Sequence, residues 1–290
     1  MGISFHPKSF IWIHPLNSGI LLIGHGTRDA AGVREFLDLA SLVKELAAPI
    51  PVEACFLELA EPSIAEGVQR LARAGIQRLL VAPLLLFSAG HHQRDVPDAV
   101  NAALAQYPGI TTAQLPALND HPRVLALSQR RFVEARRIGN RIPGVAGDER
   151  SENPEHRVSG NTSSGTERAG NRLLMVVGRG SSDAAATARL RDFAAQRAVS
   201  AGVQAVLSCF VHGQQPTLAQ GVALAAKTSA QTIVVQPHLL FQGLVYQEIA
   251  AVVEQAASQS SKEWQLAAPL GPDPEIARTV LELGAPWLKE

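Results

Sequence analysis

Three short segments carry the side chains with the most chemical potential. LLIGHGTRDA, Leu21 to Ala30, sets His25 between Gly24 and Gly26. CFLELAEPSI, Cys55 to Ile64, delivers Glu58 just after an apolar run, and VAPLLLFSAGHHQRDVP, Val81 to Pro97, carries His91, His92, Arg94 and Asp95. Two imidazoles and a carboxylate suit a borderline divalent ion such as Co²⁺, Fe²⁺ or Ni²⁺. The same set accepts protons near neutral pH. Taken singly, a histidine at a strand end or a glutamate after a strand is ordinarily structural or solvent-facing. Three such groups from three consecutive units favour a site. Adjacent loop residues rarely both face one site, so His92 is read as a spare beside His91.

The elements around these residues must bring them to one edge. Gly19–Ile23 reads as a buried strand, followed by a helix capped by Asp29 with Val33, Phe36, Leu37, Ala40, Val43 and Ala47 on its apolar face. Val52–Leu57 is a second strand. Pro62 suits the first position of a second helix, striped by Ile64, Val68, Leu71 and Ala72 and ended by Gly75. The apolar run Leu79–Phe87 is partly strand, Pro97 opens a third helix with Val100 and Leu104 inward, Thr111–Leu115 is a fourth strand, and a helix follows Pro122. Alternating strands and helices with continuously apolar strands predict a parallel sheet covered on both faces. Ligands of such sheets bind outside the carboxyl ends of the strands, where His25, Glu58 and the His91 segment fall.

The pattern occurs twice. Leu174 to Ala184 reads LMVVGRGSSDA, and a shift of 154 takes Gly24, His25, Gly26 and Asp29 to Gly178, Arg179, Gly180 and Asp183. The same shift pairs Phe56 with Phe210, Pro62 with Pro216, Gly67 with Gly221, and Pro83 with Pro237. The fold class expected is therefore α/β, with two tandem homologous open parallel-sheet domains facing a central cleft. The expected boundaries are an N-terminal extension (1–18), an active copy (19–135), a flexible linker (136–172) and a degenerate copy (173–290). The linker is rich in Gly, Ser, Asn and charge and cannot bury enough apolar surface to offset its ordering entropy. Under the shift, His25 becomes Arg179, Glu58 becomes His212, His91 becomes Val245 and Asp95 becomes Ile249, while the packing residues persist. A polar set that disappears from one copy is expected of chemistry kept by the other.

Composition narrows the field. The chain has 290 residues, 46% hydrophobic and 18% charged, and a formal net charge of zero, so no global field invites nucleic acid or an anionic membrane. No apolar run approaches the roughly 20 residues that span a bilayer. The leader shows no signal-peptide pattern, and a cytoplasmic protein is expected. Cys55 and Cys209 lie in apolar strands and are expected to be buried, inert thiols.

Taken together, LLIGHGTRD, FLELAEPSI, VAPLLLFSAGHHQRDVP and LNDHP resemble the class II chelatases of the CbiX and SirB type, in their long two-copy form. The resemblance covers nearly the whole chain outside the leader and linker. It implies insertion of a divalent metal into sirohydrochlorin, for cobalamin or sirohaem biosynthesis, with Co²⁺ favoured over Fe²⁺ because the two-copy length resembles the cobalt enzymes. It implies an active site built on His25 and His91, both also metal ligands, with Glu58 as the acidic partner. His91 fits the family's G-H-x-x-x-D-[IV]-P run, with Asp95 four residues on; His92 does not. No organic cofactor is implied, since the metal is a substrate. The substrate's eight carboxylates would meet cationic groups, for which Arg28 and Arg94 are the candidates, with Thr27 and Ser88 as hydrogen-bonding partners. His121, in LNDHP, is left outside the catalytic set. The partner expected is the small tetrapyrrole, with no nucleic acid or membrane, and the tandem is expected to be a monomer. Two rivals remain. A histidine phosphatase would want an arginine just before the histidine, where Gly24 stands. A non-enzymatic tetrapyrrole or metal carrier would use the same pocket.

Overall fold

The structure is a computed structural model that describes residues 17–87, 92–138, 171–203 and 205–289. Its elements alternate strictly. The first copy runs β1 (Ser18–Gly24), α1 (Ala30–Ala47), β2 (Val52–Phe56), α2 (Ile64–Arg73), β3 (Arg78–Pro83), α3 (His92–Leu104), β4 (Thr111–Gln114) and α4 (Pro122–Ile138). The second repeats the order as β5 (Arg172–Gly178), α5 (Ala184–Ala201), β6 (Ala205–Phe210), α6 (Leu218–Lys227), β7 (Thr232–Pro237), α7 (Leu244–Ser258), β8 (Glu263–Leu266) and α8 (Pro274–Lys289). Each copy forms a four-stranded parallel sheet, in the orders β2-β1-β3-β4 and β6-β5-β7-β8. The direction of winding therefore reverses between β1 and β3, and between β5 and β7. That switch point is where an open α/β sheet leaves a crevice at its carboxyl edge. No helix among the described residues is long and apolar enough to cross a membrane.

Alternation along β1 divides the core. Leu21 and Ile23 pack with Ile64, Val68, Leu71, Val96 and Val100 from α2 and α3. The buried face of α1 is Gly32, Phe36, Leu39, Ala40, Val43 and Ala47. Leu37, expected inward, is exposed, because it lies about 100° round the helix from Phe36, whereas Leu39 and Ala40 continue the Phe36 stripe. Pro62 does not open α2. Ser63 caps it, accepting from the Glu66 amide while the Glu66 carboxylate accepts from the Ser63 amide, a reciprocal box written in the sequence as S-x-x-E. Pro97 likewise lies inside α3, which begins at His92.

The last helix of each copy leaves its own sheet. The chain divides into two compact units, one comprising the described residues up to Val124 with those from Gly271 on, the other Leu125–Leu270. The repeat copies and the compact units thus differ by one helix each. In the first unit α8 lies so close to β3 that a Cβ at Gly284 would fall 2.4 Å from Leu80. Arg78 donates to the Trp287 carbonyl at 2.6 Å and stacks over that indole at 4.3 Å. Arg123 pairs with Glu275 and Glu282 on α8. In the second unit α4 presents Ser128, whose hydroxyl accepts from Arg197 of α5 at 2.7 Å and from Gln236 of β7 at 2.9 Å. Arg197 is fully buried there, and burial lowers its pKa to about 10.

Candidate functional site

The turn after β1 is built by its two glycines. Gly24 packs under Phe36 and Phe56, whose tilted rings lie 4.6 Å apart, leaving about 3 Å for any added Cβ. Gly26 has φ +95°, and a Cβ there would fall 1.6 Å from the Glu58 carbonyl oxygen. The two loops are laced together by Leu57 N–H to the Gly24 carbonyl (2.9 Å) and Glu58 N–H to the His25 carbonyl (3.1 Å). Thr27 accepts from the Asp29 amide at 3.1 Å, and Asp29 caps α1 through the Ala31 amide at 2.9 Å. Each interaction fixes the exit path of the chain, so His25 and Glu58 are held by backbone rather than by long flexible contacts.

The result is a close pair. His25 Nε2 lies 3.5 Å from Glu58 Oε1, with the two side chains 34% and 54% exposed. A shallow depression open to solvent is lined by His25 itself with Ile23, Leu57, Pro83, Leu85 and Val96. It therefore sits at the β1–β3 switch point. Imidazole and carboxylate facing water beside an apolar pocket can take an ion or a proton from solution and release it again. Arg28 and Arg94 are exposed, Arg94 within the first turn of α3. Thr27 is half-buried and already uses its hydroxyl as an acceptor in the turn. His91 and Ser88 lie outside the described residues, as does the side chain of His92. Among the described residues no group of three or more His, Cys, Asp or Glu is gathered as a metal cage. His121 is accounted for by the fold: its Nδ1 accepts from the Arg123 amide at 3.3 Å and its Nε2 lies 3.4 Å from Glu282 of α8.

The model of the protein family described as CbiX matches residues 19–135 and 173–283, once for each copy. The chain belongs to the CbiX family. Among its CbiX-type relatives are two proteins of Priestia megaterium. One, named sirohydrochlorin ferrochelatase, is 27% identical over 244 residues, spanning 84% of this chain and 80% of its own. The other, named sirohydrochlorin cobaltochelatase, is 27% identical over 265 residues, spanning 91% and 77%. Among solved structures, SirB from Bacillus subtilis with Fe³⁺ superposes with a TM-score of 0.76 at 22% identity, covering 94% of this chain and 96% of that one. That likeness is one of fold.

Within this CbiX chain the second copy reuses the same backbone frame. Gly180 has φ +95° with a Cβ position 1.8 Å from the His212 carbonyl oxygen, and the His212 amide donates to the Arg179 carbonyl at 2.9 Å. The side chains on the frame are permuted rather than merely lost. Where the first copy has His25, Glu58 and Arg94, the second has Arg179, His212 and Glu248, each 154 residues on. The imidazole–carboxylate pair moves with them: His212 Nε2 lies 3.8 Å from Glu248 Oε2, both side chains exposed. Arg179 and His212 stand out in the sequence as replacements of His25 and Glu58, whereas Glu248 is found only by aligning it with Arg94. Beneath this edge the second copy also buries a histidine where the first has Leu84. His238 packs in a tilted contact with Phe193, ring centres 4.2 Å apart, and burial lowers its pKa to about 3.

Proposed function

We propose that this chain is a sirohydrochlorin chelatase that inserts a divalent metal, Co²⁺ in preference to Fe²⁺, with release of two protons. The observation that carries the reading is the His25–Glu58 pair, 3.5 Å apart beside the switch-point pocket, in a CbiX chain whose relatives carry sirohydrochlorin chelatase names.

The chemistry follows from that pair. A metal entering the macrocycle displaces two pyrrole protons, so the site needs groups that hold the ion and groups that take protons. Neutral His25 offers Nε2, and Glu58 offers a carboxylate oxygen at a separation that one ion can bridge. Donors each about 2.1 Å from a shared ion stand roughly 3.0–4.2 Å apart for angles from 90° to 180°. His91, placed by its sequence motif, supplies the second imidazole. His25 and Glu58 are open to water, which suits an ion that must be released; a closed cage would trap it. As the ion passes to the ring nitrogens, the vacated imidazole or the Glu58 carboxylate accepts a departing proton. Arg28 and Arg94 meet the carboxylates of the substrate, with Thr27 and Ser88 donating hydrogen bonds. The metal is a substrate and no organic cofactor takes part. The protein acts in the cytoplasm as a monomer, in cobalamin or sirohaem synthesis.

The test is an absorbance assay of sirohydrochlorin with Co²⁺ and then Fe²⁺, for the wild type, His25→Ala and His91→Ala. Turnover above the spontaneous rate, lost in both variants, supports the reading, and the faster metal ranks the two ions. Binding of the macrocycle by folded wild-type protein without turnover would make it a carrier.

A further inference from the structure

Leu59, the residue after Glu58, has φ 63° and is the only non-glycine residue with positive φ among the described residues. Leucine in the left-handed region crowds its Cβ against the following carbonyl, which is why the region belongs chiefly to glycine. The turn does not require leucine. In the second copy the equivalent residue is Gly213, at φ 68°. The two turns are otherwise built alike: Phe56 bridges to Ser63 as Phe210 does to Thr217, and the amides of Glu58 and His212 donate to the carbonyls of His25 and Arg179. Glycine therefore meets the same backbone demand without strain.

Core packing does not account for the leucine either, since Leu59 is 51% exposed. A strained, solvent-exposed apolar side chain next in sequence to Glu58 runs against both conformational and solvation preference. The first copy has it next to Glu58; the second, whose polar set is permuted, has lost it.

We propose that Leu59 is a substrate-contact residue, whose side chain gives the flat apolar face of a tetrapyrrole a surface to rest on beside the His25–Glu58 pair. The proposal rests on the chelatase reading for the identity of the macrocycle. The ligand chemistry is specific: its rim of carboxylates calls for cations, whereas its ring face calls for apolar contact, to which Leu59 adds an exposed side chain beyond the Leu57 and Leu85 that line the depression at His25.

The experiment is a titration of metal-free sirohydrochlorin into the full chain, read by the absorbance of the macrocycle, for the wild type, Leu59→Gly and Leu59→Met. Thermal unfolding of each protein and steady-state kinetics with Co²⁺ accompany it. Leu59→Gly is expected to weaken binding about four- to tenfold, the loss of one partly buried leucine contact. Its Tm should be unchanged or raised, its KM should rise with the Kd, and its kcat should stay within about twofold. Leu59→Met, which keeps an apolar side chain of similar length, should restore most of the affinity. Equal Kd values for wild type and Leu59→Gly would overturn the proposal. So would a fall in Tm that accompanies the loss of affinity, since that marks a structural role. A wild type that binds the macrocycle but never turns over sinks the chelatase reading and leaves the contact tested; a wild type that binds no macrocycle sinks both.

Discussion

A side chain at Gly26 has no room because the Glu58 carbonyl oxygen occupies the place of its Cβ, 1.6 Å away. The turn that presents His25 and the turn that presents Glu58 are thus in direct backbone contact, and the 3.5 Å separation of the two functional groups follows from that contact. Gly26→Ala is expected to force the turns apart. With φ +95° adding strain, stability should fall by about 2–4 kcal/mol in denaturant titrations, and chelation should be lost in whatever folded protein remains. Gly180→Ala meets the His212 carbonyl oxygen at 1.8 Å and should destabilise comparably, while the folded fraction retains its specific activity.

Removing the donors themselves should separate chemistry from stability. His25 and Glu58 are both partly exposed, so the contact between them contributes little to folding. His25→Ala should lower kcat/KM by about 100-fold or more, and Glu58→Gln by about 10- to 100-fold, with unfolding midpoints near the wild type. Arg179→Ala and His212→Ala should keep most of the activity. Near-total loss in folded Arg179→Ala or His212→Ala would show that the permuted set takes part in turnover.

His238 makes the second unit acid-sensitive. Its pKa of about 3 in the folded chain lies below the ordinary value near 6.5, because burial disfavours the charged ring. Below pH 6.5 the unfolded chain binds a proton that the folded chain does not, so stability is lost as pH falls from about 6.5 towards 3. Between pH 7.5 and 5.0 this group alone should cost about 2 kcal/mol. His238→Leu, which installs the residue found at the equivalent Leu84, should reduce the fall in stability over that interval by about that amount. Urea titrations of both proteins at the two pH values measure it; parallel pH dependences would contradict it.

Cys55 and Cys209 are both fully buried, and burial pushes each thiol up to about 12. Neither should react with a thiol reagent at pH 8 until the protein unfolds. Two equivalents should then appear with denaturant, matching the two cysteines of the chain. Rapid labelling of native protein would show that one of the strands opens locally.

The sequence by itself determined the alternation of strands and helices, the duplication, and the edge on which His25 and Glu58 fall. Apolar strands alternating with amphipathic helices favour a covered parallel sheet, and every strand of such a sheet ends on the same side. It also holds the Ser63–Glu66 cap in plain view, although Pro62 suggests a helix start two positions before Ile64, where α2 begins. Tertiary structure decided which sheet each terminal helix covers. The apolar stripes of α4 and α8 specify that each must be buried, but two homologous sheets offer similar surfaces. Local fits, Gly284 over Leu80 in one unit and Ser128 beneath Arg197 and Gln236 in the other, accompany the actual choice. The site divides in the same way. Residue types and strand ends are local properties, legible from spacing. The distance from His25 to Glu58 and the left-handed turn at Leu59 arise from two loops packing backbone to backbone across β1 and β2, which only the folded chain brings together.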